Sequence, residues 1–147
     1  MTHFLGCQAA DIFRAIAPVS FPLSADLGCA PSRNIRMIEF HARTDRQRSF
    51  GGFTVSRPPP APPTRFFSVP DGAAEWARLN GCSAQSTSVL RRGNSECIEF
   101  EGCPADGRVA LCTLDGRGLL LGGHVAYDNN DDIDIARRAW EFFTRTD

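Results

Sequence analysis

Two residues carry side chains and settings that could do proton-transfer chemistry together. His124 stands in Gly122-Gly123-His124, after the short apolar run Leu119-Leu120-Leu121 and before a strongly helical tail. Glycine removes side-chain bulk and lets the backbone turn sharply, so an imidazole there can face a cleft and act as a general base. Asp45 closes a second strand-like run, Arg36-Met37-Ile38-Glu39-Phe40-His41, through the polar turn Ala42-Arg43-Thr44. A carboxylate that orients an imidazole lets it take a proton from a weak nucleophile and return it to a leaving group. Acid first and histidine later is one of the known chain orders for such a pair, with the nucleophile earlier still. The matching serine would sit on a Gly-x-Ser-x-Gly turn, and the 147 residues contain none. The nearest approach is Ser83 in Gly81-Cys82-Ser83-Ala84-Gln85, where Gln85 replaces the second glycine. Ser20, Ser32 and Ser95 lack the turn altogether.

His41 lies within the strand run and reads as a hydrogen-bonding residue at the edge of the core. The acids Asp128 and Asp131 stand too near His124 in sequence to be its partner and read as a turn residue and a helix cap.

The elements that must position this pair follow from periodicity and turn chemistry. A helix is expected from Thr2 to about Arg14, with Phe4, Leu5, Ile12 and Phe13 on one face. Ala15-Ile16-Ala17-Pro18-Val19-Ser20 reads as a short buried strand and Ile35 to His41 as the next. The ends of such strands are where chemistry gathers in open α/β sheets. Arg57-Pro58-Pro59-Pro60-Ala61-Pro62-Pro63 reads as extended, polyproline-like surface chain. Ser68, Pro70 and Asp71 open a helix that runs to about Asn80, with Ala73, Trp76, Ala77 and Leu79 facing the core and Gly81 ending it. Cys97 to Glu101 and Val109 to Thr113 flank a turn at Pro104 to Gly107 and form a hairpin. A last helix is capped by Asp131 or Asp132, with Ile133, Ala136, Trp140 and Phe143 as its core stripe.

Bulk properties set limits. At 147 residues the chain is one domain burying roughly two-thirds of its unfolded surface. A formal net charge of −1 gives no electrostatic case for nucleic acid or an acidic membrane. All 16 basic residues are arginine, which excludes a Schiff-base lysine and a P-loop lysine. Gly116-Arg117-Gly118 does not complete a dinucleotide fingerprint, because Leu121 stands at its last glycine. Asp128 to Asp132 lacks the glycine and the glutamate of a calcium loop. No run has the length of a membrane span. No cofactor or metal is implied, and no obligate protein partner.

The six cysteines are Cys7, Cys29, Cys82, Cys97, Cys103 and Cys112, with no Cys-x-x-Cys pair. The even count favours disulfides in an oxidising compartment over zinc. Cys7 and Cys29 can bridge a helix to a loop. On the hairpin, Cys97 opposite Cys112 leaves Cys82 for Cys103; Cys97 with Cys103 and Cys82 with Cys112 is the alternative. The amino terminus has neither a basic region nor a long apolar core, so disulfides without a secretion signal lead us to expect a fragment of a longer secreted protein.

Several segments together resemble the C-terminal half of the secreted α/β-hydrolase esterases that include feruloyl esterases, acetyl xylan esterases and polyhydroxybutyrate depolymerases. They are Met1-Thr2-His3, Phe13 to Ser20, Cys29 to Arg33, His41 to Asp45, Trp76 to Cys82, Cys103-Pro104, Val109 to Thr113, Gly122 to Val125 and Ala139 to Phe143. Gly-Gly-His-Val-x-Tyr, ending at Tyr127, is closest in form to the fungal feruloyl-esterase-like branch. The resemblance implies an α/β fold: the C-terminal part of an α/β-hydrolase, parallel strands with flanking helices plus a disulfide-bearing hairpin. It makes residues 1–147 a partial domain lacking the nucleophile elbow and the oxyanion-hole segment. It implies a serine carboxylic-ester hydrolase with Asp45 and His124 as acid and base, acting on plant cell-wall polysaccharide esters or, alternatively, a polyester. The chain alone is expected to be inactive, and unstable with a sheet edge unpaired; a non-catalytic truncated product is the other alternative. Two departures stand out: Ala42 where the family has glycine, and Arg46-Gln47-Arg48 where it has a Val-Pro step.

Overall fold

The computed structural model describes residues 1–117, 123–124 and 131–146. Its centre is a five-stranded sheet in the order β1-β2-β7-β6-β5. Strands β1 (Ala15–Ile16), β2 (Arg36–Ala42) and β7 (Val109–Leu114) run parallel, while β6 (Ser95–Phe100) and β5 (Ser86–Arg92) continue the sheet antiparallel. A separate two-stranded ribbon joins β3 (Phe53–Val55) to β4 (Thr64–Phe66).

Helices cover both faces of the sheet. Along β2 the side chains alternate. Met37 joins Ile16, Val109, Leu111 and Trp76 in a core under α1 (Thr2–Gln8) and α2 (Val69–Leu79). Ile38, Phe40 and Ala42 join Ala110, Cys112 and Leu114 under α3 (Ile135–Thr144). Burial on both faces is why β2 and β7 read as continuous runs instead of alternating ones. Within β2, Glu39 and His41 fall on the α1/α2 face by the same alternation, and both are fully buried.

Helix α2 has the start its sequence announces. Ser68 accepts from the Asp71 amide, proline occupies the first turn, and Ala73, Trp76 and Ala77 are buried. At its end Asn80 is buried and clamps two strands: its amide donates to the carbonyls of Ile35 and Gly107, at 2.8 and 2.9 Å. That clamp fixes the starts of β2 and β7 against the helix.

Other elements differ from expectation. Helix α1 ends at Gln8, and its buried residues are His3, Gly6 and Cys7; Phe4, Ile12 and Phe13 are exposed. Gly6 explains the burial, since a Cβ there would meet Ile16 and Trp76 at 2.7 and 3.0 Å. The first strand shrinks to two residues, extended only by a bridge from Val19 to Phe40. The proline run is not simply extended; it turns at residues 59–60 and links β3 to β4. Helix α3 is capped by Asp134, whose side chain accepts from Arg137, not by Asp131 or Asp132. Its buried stripe is Ile135, Ala139 and Phe142, with Ile133 before the cap, while Trp140 is exposed. The later start shifts the helical phase by about one position.

The disulfides are Cys7–Cys29, Cys82–Cys103 and Cys97–Cys112. Cys97 and Cys112 are direct partners across β6 and β7, which decides between the two arrangements left open by the sequence.

Candidate functional site

The site forms at the carboxyl ends of β2 and β7. After Ala42 the chain makes a tight turn, with the Asp45 amide donating to the Ala42 carbonyl. The Asp45 carboxyl is completely buried. Its Oδ1 accepts from the backbone amides of Gln47 at 2.8 Å and Arg48 at 2.9 Å. Two amide donors fix the plane of the carboxyl and leave Oδ2 pointing away from the turn. There, His124 Nδ1 lies 2.8 Å from Oδ2 across 79 residues of sequence.

Close backbone approach sets this distance. Gly123 adopts φ +96°, a region that suits glycine, and a Cβ there would stand 2.5 Å from Thr44 Oγ1 and 2.9 Å from the Thr44 carbonyl. Gly116, just after β7, is pressed against Thr44 and Gly123 in the same way. The turn that carries Asp45 and the backbone that carries His124 therefore lock together through missing side chains. Of the Gly-Gly-His motif, Gly122 lies outside the described residues, as do Leu119 to Leu121, Tyr127 and Asp128.

An ionised carboxylate only accepts hydrogen bonds, so Nδ1 carries the ring proton and Nε2 remains the basic nitrogen. The His124 side chain is 29% exposed while Asp45 is sealed. A buried acid behind a half-buried imidazole is the arrangement a general base requires, because the carboxylate stabilises the imidazolium without competing for the substrate.

Behind Asp45 the polar residues continue inward. His41 Nε2 lies 2.7 Å from the Arg48 carbonyl and 3.5 Å from Asp45 Oδ2. Glu39 stands between His41 and His3, 3.7 Å from a ring nitrogen of each. His3 is held at both nitrogens: Trp76 Nε1 donates to Nδ1 at 3.0 Å, and Nε2 donates to the Phe21 carbonyl at 3.1 Å. Burial lowers the His3 pKa below its ordinary value, with Glu39 opposing, so His3 is a neutral core residue. His3 thus reaches this network through Glu39 and makes no direct hydrogen bond to Asp45. His41 is completely buried, which makes it more than a core-edge residue. Glu39 was legible only as an acid in the middle of an apolar strand, and its place in the network depends on a helix remote in sequence.

Around the turn, Arg48 lies over the rings of Phe21 and Phe53 at 5.2 and 5.6 Å, and Arg43 over Phe50 at 5.7 Å. Phe21, Phe66, Phe4 and Pro62 line a cleft of about 580 Å³ whose walls include neither Asp45 nor His124. Ser83 is elsewhere. It follows Asn80 and Cys82 at the edge where β2 and β7 begin, opposite the end that carries Asp45. Among the described residues no group of acids, cysteines and histidines could hold a metal ion, and no helix is long and apolar enough to cross a membrane.

The chain is 28% identical over 142 residues to feruloyl esterase B of Piromyces equi, a match covering 94% of this chain and 25% of that protein. The chain thus spans about a quarter of the length of the relative it matches. No protein-family model and no solved structure matches it.

Proposed function

We propose that Asp45 and His124 are the acid and base of a serine carboxylic-ester hydrolase acting on plant cell-wall polysaccharide esters. One observation carries this reading: the 2.8 Å bond from His124 Nδ1 to the buried Oδ2 of Asp45, which leaves Nε2 as base. Similarity to a protein named feruloyl esterase B supports the ester class. On this reading residues 1–147 are the C-terminal part of an α/β-hydrolase domain of a secreted protein, and the serine is supplied by sequence outside them. The three disulfides agree with an oxidising compartment.

The reaction is two-step acyl transfer. His124 Nε2 takes the serine proton as Oγ attacks the ester carbonyl, and the imidazolium returns that proton to the departing alcohol. Water, activated by the same nitrogen, then releases the acid. Asp45 keeps the ring in the Nδ1–H tautomer throughout. The test is to express the complete open reading frame carrying these residues and screen feruloyl, acetyl and hydroxybutyrate esters. Saturable feruloyl-ester hydrolysis abolished by H124A supports the proposal; an enzyme that cleaves none of the three sinks it.

A further inference from the structure

We propose that His41 is a positioning residue for Asp45, held in its Nε2–H tautomer by the Arg48 carbonyl; this rests on the acid–base reading of Asp45 and His124. The backbone carbonyl of Arg48 can only accept, so the 2.7 Å contact requires His41 Nε2 to carry a proton. That bond closes the turn from Asp45 to Arg48, the turn whose two amides hold Asp45 Oδ1. The same N–H faces Oδ2, the oxygen that holds His124, from 3.5 Å. His41 therefore touches both the scaffold and the acceptor of the His124 bond.

The other side of the ring faces Glu39. With Nε2 protonated, Nδ1 faces Glu39 Oε1 at 3.7 Å inside a sealed core. Among the described residues neither carboxyl oxygen of Glu39 nor His41 Nδ1 has a hydrogen-bond partner, so this face of the ring leaves the Nε2–H bond to Arg48 uncontested. Beyond Glu39, His3 presents its Nε2–H, fixed by Trp76 on its far nitrogen. The neighbouring cations do not intrude: the Arg48 and Arg43 guanidinia lie over the rings of Phe21, Phe53 and Phe50. A strand interior would ordinarily fill these positions with apolar side chains. Two buried ionisable groups in register behind Asp45 are better explained by the turn they brace than by stability, since such pairs contribute little to it.

The chain has three histidines, so ring resonances can be assigned by single substitutions in ¹⁵N-labelled, disulfide-bonded protein. The expected wild-type result is an Nε2–H tautomer at His41 and a protected Nδ1–H on His124. H41F, which keeps bulk but removes the donor, should speed exchange of the His124 Nδ1–H about tenfold or more while native circular dichroism persists. H41Q, which keeps a donor, should restore protection. A folded H41F with unchanged exchange would overturn the proposal, as would equal acceleration in both variants. Should H41F fail to fold, the wild-type tautomer decides, and an Nδ1–H tautomer at His41 overturns the proposal alone. None of these readouts requires ester hydrolysis, so failure here and failure of the esterase reading remain distinguishable.

Discussion

At the level of single residues, the central fact is that a carboxylate sealed from water faces an imidazole that is not. Both members were legible in the sequence because each follows a strand-like run at a polar or glycine-rich exit. What the sequence could not show was the tightness of the join, which lies in glycines, not in the pair. G123A should push the His124 backbone away from Thr44, because the φ of +96° and the 2.5 Å approach both resist a Cβ. We expect esterase activity of the complete protein to fall about a hundredfold, the cost of a misplacement near 1 Å, with KM little changed. Steady-state kinetics check this. His3 makes a separate prediction, about stability. Its pKa is lowered on folding from the ordinary 6.5, so below that value the unfolded chain binds a proton that the folded chain refuses. Stability is thus unaffected at pH 8 and declines as pH falls through 6.5, by about 1.4 kcal/mol per unit until His3 itself protonates. Urea unfolding at pH 7.5 and 5.5 should show this decline, and H3Q should flatten it.

At the level of elements, position depends on clamps between helix ends and strand ends. Helix α2 was readable from Ser68, Pro70 and the Ala73, Trp76, Ala77 spacing, because local capping and periodicity agree there with the tertiary burial. Helix α3 was misread in phase, since Ile133 resembles a helical core position but packs from the residues before the cap. Helix α1 was misread because Gly6 and His3 do the packing, and neither is recognisable as a core residue by hydrophobicity. The ribbon of β3 and β4 and the outer strand β5 escaped the sequence reading; β5 is exposed along most of its length and carries no alternation to find. Asn80 is the clamp with the clearest energetic consequence. N80A would leave the carbonyls of Ile35 and Gly107 without their buried donor, a loss of about 2 kcal/mol in chemical denaturation.

For the whole molecule, the sheet places Asp45 and His124 at one end and the Asn80 clamp with Ser83 at the other. The parallel core and the hairpin were legible because turn residues and strand runs constrain one another, while two disulfide pairings stayed open until the register put Cys97 opposite Cys112. The link from Asp45 to His124 was expected from chain order and resemblance, and only the fold could give its distance. The chain's match to a quarter of a longer esterase frames the account without supplying its chemistry. The measurement that tests it most directly is kcat/KM of the complete reading frame on a feruloyl ester, for the native protein, D45N and H124A. We expect losses of about a thousandfold or more in each variant, with the double variant no worse than H124A alone, since the two residues act as one unit. Hydrolysis by D45N at the native rate would contradict the account.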